Sequence, residues 1–80
     1  MVSKNWSVVG GESIENVFSD SGIINLTDDV EQGRVVAGYG FCDCEAADTG
    51  WTVMSVTETD DVIRLALIDV FGNEYVVMYQ

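Results

Sequence analysis

The chain predicts a small α+β domain: a short N-terminal helix packed on an antiparallel sheet of four or five strands, ending in a three-strand meander. Three observations carry this reading. Residues 51–58, 62–70 and 74–79 are strand-like runs rich in Val, Ile, Thr, Trp and Tyr. Upstream, Ile14, Val17 and Phe18 recur at helical spacing, with Glu12, Glu15 and Asn16 between and before them. The length of 80 residues allows one domain over 1–80, and 48% hydrophobic residues argue for a folded core despite a net charge of −11.

Taken in order, residues 2–9 predict a first strand before Gly10-Gly11. Glu12 to Ser19 predicts an amphipathic helix of about two turns, its acidic start suited to the positive end of the dipole and its end set by Gly22. Ile23 to Leu26 reads as extended, and Thr27-Asp28-Asp29 as the N-cap of a second helical turn closing at Gly33. From Arg34 the period becomes two: Val35, Ala37, Tyr39 and Phe41 alternate with Val36, Gly38, Gly40 and Cys42. Residues 43–50 form an acidic loop.

Turn chemistry predicts the meander's register. Gly72-Asn73 reads as a two-residue turn pairing Phe71 with Glu74, and Thr59-Asp60 as one that pairs Thr57 with Val62. This register puts Met54, Val56, Ile63, Leu65, Leu67, Val76 and Met78 on the core face. The opposite face, with Trp51, Val53, Tyr75, Val77 and Tyr79, is then covered either by the chain's own 2–9 and 34–42 or by a partner. In the second case Trp51, Tyr75 and Tyr79 form a contact or self-association patch, because Trp and Tyr bury large areas at small entropic cost.

Composition excludes much chemistry. There is no histidine, hence no imidazole base or metal ligand. Cys42 and Cys44 supply half of a zinc site at most, diverge too much along a strand to bridge each other, and read as small apolar residues in a reducing compartment. Asp28 and Gly33 fit the first and sixth positions of a calcium loop, but Tyr39 stands where the bidentate glutamate is required. No catalytic residue, metal or cofactor is therefore predicted. Three Lys+Arg cannot neutralise a phosphate backbone, so direct nucleic-acid binding is not expected. Neither a secretory signal nor a membrane span is legible, which predicts a cytoplasmic protein.

What remains is charge. Of the 14 Asp+Glu, three groups fall in predicted turns or loops: Asp28, Asp29 and Glu31; Asp43, Glu45 and Asp48; Glu58, Asp60 and Asp61. Carboxylates carried on a rigid sheet can imitate the phosphates of a duplex and face a basic protein surface. In size, acidity and lack of catalytic residues the chain resembles the small phage-encoded inhibitors of bacterial defence, including anti-CRISPR proteins and DNA mimics. That resemblance implies a non-enzymatic inhibitor in the host cytoplasm, occupying a basic surface or nucleic-acid channel of a CRISPR effector or similar protein. An immunity protein that plugs a basic toxin, and a self-associating structural subunit, are the competing expectations.

Overall fold

The structure, a computed structural model, describes residues 4–43 and 49–80. Five antiparallel strands, β1 (Trp6–Val8), β2 (Gly40–Asp43), β3 (Thr49–Thr59), β4 (Val62–Asp69) and β5 (Glu74–Tyr79), form one sheet in the order β1-β5-β4-β3-β2. One helix, α1 (Asp20–Glu31), covers one face. The predicted α+β arrangement with a C-terminal meander is what the chain forms. Among the described residues, no helix is long and apolar enough to cross a membrane.

The helix starts later than its first periodic residues suggest. Ile14–Asn16 make only a 3₁₀ turn, although Val17 and Phe18 are buried as the spacing requires. Ser19 is the N-cap, its Oγ accepting from the Gly22 amide at 3.2 Å. Gly22 therefore sits in the first turn and does not end the helix. Gly22, Leu26 and Val30 then follow one another at intervals of four along the buried stripe. Thr27 is mid-helix rather than a cap: its hydroxyl donates to the Ile23 carbonyl and accepts from Trp6 Nε1. The end is as predicted. Gly33 takes φ +73°, its amide bonding Val30 O and the Arg34 amide bonding Asp29 O, a Schellman closure that only glycine adopts without strain.

Both predicted hairpin registers shift. The β3–β4 turn is Asp60-Asp61, both left-handed, with Thr59 opposite Val62. A bulge between Val53 and Ser55 then changes which residues of β3 face the helix. Before it Val53 pairs Leu67; after it Val56 pairs Leu65. At the other turn, Asp69 Oδ1 accepts from the amides of Phe71 and Asn73, and Gly72 is left-handed at φ +85°. Ile68 consequently faces Glu74, and Leu67 faces Tyr75. The pairing of Phe71 with Glu74 does not form, because a side-chain acceptor at Asp69 organises a longer loop.

The bulge and the Asp69 loop exchange the faces of residues 51–54 and of β5, while Val56, Ile63, Leu65 and Leu67 keep the helix side predicted for them. Trp51, Val53, Val77 and Tyr79 are buried with Leu65 and Leu67 beneath α1, whereas Met54 is exposed and Val76 and Met78 are half-buried on the other side. The aromatic set that sequence placed on a second face is core. Thr52, Ser55, Thr57 and Arg64 line the opposite, exposed face. Of residues 34–42 only 40–42 are strand, the start of β2; the stretch before them is a loop tied to β3 by Gly38 N to Val53 O and Val53 N to Tyr39 O. The first strand is likewise shorter than predicted, at Trp6–Val8.

The Asp69 turn gives a first expectation. Burial pushes the Asp69 carboxyl upward, but the bonds from Asn73, Phe71 and Gly72 together outweigh it and hold it below the usual aspartate range. A lowered carboxylate stabilises the fold above its unfolded value of about 4 and loses that contribution as pH falls through the folded one. Thermal unfolding of Asp69→Ala should thus show a lower midpoint at neutral pH and a shallower loss below about pH 4. Leu67→Ala, at a fully buried site, should cost about 2–5 kcal/mol in urea unfolding, independent of pH.

Candidate acidic cleft

Two of the three acidic groups come to one end of the molecule. A cleft of about 340 Å³ lies between the C-terminal end of α1 and the outer half of β3. Its floor and walls are Val30, Val35, Val56, Ile63 and Leu65, and Glu31 and Glu58 also line it. No cation does. Glu58 reaches the cleft because the bulge at Met54 turns Val56 and Glu58 to the helix side. Asp60 and Asp61 follow immediately in the exposed turn.

The carboxylates at the helix end are held by phenols. Tyr79 Oη donates to Glu31 Oε1 at 2.8 Å. Tyr79 is itself fixed by Trp6, whose ring lies 4.7 Å away, and by Lys4 Nζ at 5.6 Å from its centroid. Asp29 accepts from Tyr39 Oη and pairs with Arg34 Nη1 at 3.3 Å. Tyr79, which the sequence placed either under the chain's own cover or in a contact patch, thus works from within the core on a carboxylate of a predicted acidic group. Trp51 is also interior, 5.0 Å from Phe18 and 5.5 Å from Tyr75 between ring centroids, and its buried Nε1 has no hydrogen-bond partner. Tyr75 is half-buried against the same cluster.

Electrostatically this end is poorly compensated. The last helical turn holds Asp28, Asp29 and Glu31 and no basic residue, against the negative end of the helix dipole. Arg34 offsets Asp29 alone. Lys4 is the second cation at this end, its Nζ bonding the Asp61 carbonyl in the β3–β4 turn without lining the cleft, and Arg64 is on the open sheet face. Such an arrangement can attract and orient a cation with an apolar stem, as Lys or Arg provides.

Of the third group only the backbone of Asp43 falls within the described residues, and it is not at the cleft. Asp43 pairs in register with Thr49, at the far end of β3 from Glu58, about 30 Å away along the strand. Glu45, Asp48 and Cys44 lie outside the described residues; Cys42 is exposed on β2. Among the described residues, no three Cys, Asp or Glu side chains converge as a metal site would need. Sequence reading missed Tyr39 and Val35 as parts of the site. Their only signal is apolar or aromatic character in a segment that looked like a strand.

Both phenols titrate in a way that tests this geometry. Tyr39 is raised by its bond to Asp29, then by burial and the Asp29 charge, with Arg34 opposing. Tyr79 is raised by burial, then by the bond to Glu31 and its charge. A raised phenol stabilises the fold below its unfolded value of about 10 and loses that contribution as pH rises through the folded value. Chemical denaturation should show stability falling as pH rises above about 10, and Tyr79→Phe should reduce the fall while retaining the native far-ultraviolet spectrum. Against this geometry, no protein-family model, curated protein or solved structure matches the chain.

Proposed function

We propose that the chain is a non-enzymatic inhibitor that binds a basic surface of a nucleic-acid-handling defence protein through the acidic cleft end. The observation that carries this reading is the convergence of Glu31 and Glu58, from distant parts of the sequence, on one apolar-floored cleft without a cation. A carboxylate held in place, as Glu31 is by Tyr79, suits a stoichiometric binder, since little side-chain entropy is lost when a partner docks. With a net charge of −11, association is steered over distances near the screening length, about 8 Å at physiological ionic strength. The resemblance to phage-encoded anti-CRISPR proteins and DNA mimics agrees with this reading, and its setting is the host cytoplasm.

The test separates affinity from stability. Asp28→Lys replaces an exposed acid at the helix C-terminus by a residue the dipole favours, so it should stabilise the fold by about 0.3–1 kcal/mol. The double change Glu31→Lys and Glu58→Lys should abolish capture of the partner from host lysate. Capture by the parent chain should weaken steeply with added salt, and the captured protein should lose nucleic-acid binding in gel-shift assays. Capture that is indifferent to both salt and charge reversal would overturn the reading.

A further inference from the structure

The cleft adjoins an unfinished edge of the sheet. β2 pairs β3 only over Thr49–Thr52, and the loop before β2 continues that line to Val53. Beyond the bulge, the described pairing of β3 is to β4 alone. Thr59 and Val62 close a two-residue turn and are a hydrogen-bonded pair. Since such pairs alternate with open ones, Val56 and Glu58 sit opposite Leu65 and Ile63 without bonding them. Their N–H and C=O groups therefore point outward, away from β4, while their side chains line the cleft. Backbone donors and acceptors, an apolar floor and two carboxylates thus occur at one place.

We infer that this edge of β3 accepts an extended segment of a basic partner as a further antiparallel strand, with an apolar side chain opposite Val56 and a lysine or arginine opposite Glu58. This rests on the proposed function and names the form of the partner at the cleft. The added strand lies end to end with β2 and follows the antiparallel rule of every other pair in the sheet. Charge selects the occupant. A second copy pairing antiparallel through Val56 and Glu58 would set the two Glu58 side chains opposite or diagonal to each other, and like charges so placed are unfavourable. A basic strand meets Glu31 and Glu58 instead, and its amides complete an edge that would otherwise remain solvated. The open face of the sheet offers no comparable choice of partner, because Arg64 and Glu74 leave it electrically balanced.

A blocked seven-residue peptide of threonine alternating with valine, lysine and valine provides the probe, titrated into the isotopically labelled full chain. Saturable amide shifts are expected at Val56 and Glu58. N-methylation of the peptide's valine and lysine amides, which face β3 in the antiparallel pairing, should abolish binding, whereas methylation of its threonine amides should not. Glu31→Gln and Glu58→Gln should each weaken the peptide about two- to fivefold, less at high salt. Shifts elsewhere than the β3 edge, or undiminished binding of the valine- and lysine-methylated peptide, would overturn the inference. If the edge stays silent while charge reversal still abolishes capture of the whole partner, strand addition fails and the acidic binder stands. If the peptide docks but capture ignores the reversals, the edge site stands and the charge-based function fails.

Discussion

Everything on the helix-covered face depends on one extra residue in β3. With a regular strand, Trp51 and Val53 could not share a face with Val56 and Glu58, because side chains alternate strictly along an extended backbone. The bulge at Met54 breaks that parity. Ahead of it, Trp51 and Val53 fill the core under α1 with Phe18; beyond it, Val56 and Glu58 reach the same side but extend past the helix end. The same irregularity that completes the core therefore builds one wall of the cleft. It also marks where β3 parts from the loop leading to β2, leaving an edge available.

Legibility followed the range of the forces involved. Strands over 51–58, 62–70 and 74–79 were readable because alternation and β-branched composition are local. The Gly33 stop was readable for the same reason. Register was not: it turned on the Asp69 carboxylate capturing two amides and on an extra residue at Met54, neither of which has a compositional mark. Since a displacement by an odd number of residues reverses the faces, the Asp69 loop moved Val77 and Tyr79 from the face whose cover was left open into the core, with Tyr75 half-buried beside them. The helix was misplaced because Gly22 reads as a breaker, whereas in a first turn its amide needs only the Ser19 hydroxyl. Of the site, the acidic residues of α1 and of the β3–β4 turn were legible singly; that Glu31 and Glu58 share a cleft was not, since no local pattern links residues so far apart.

The distribution of charge is more informative than its sum. Helix ends ordinarily place cations where this chain has Asp28, Asp29 and Glu31. Two-residue turns of this kind ordinarily have Gly at the second position, where this chain has Asp61 in the left-handed region that L-residues resist. Local stability is thus conceded twice, at neighbouring places and in favour of the same sign of charge. Phenols from the core, Tyr39 and Tyr79, then fix two of these carboxylates, so burial and surface charge are coupled through single hydrogen bonds.

The position of β1 bears on how the chain assembles. β3, β4 and β5 are joined by short turns and meet through contacts local in sequence. By contrast, β1 pairs with β5 through Trp6 and Tyr79, and the backbone of Asn5 with that of Gln80. Bringing together segments about 70 residues apart costs about 2.5 kcal/mol more loop-closure entropy than closing a four-residue turn. The meander is therefore the natural nucleus, and β1 the last strand to dock. Only then does Trp6 stack on Tyr79, so the phenol that orients Glu31 is locked in the final kinetic step rather than the first.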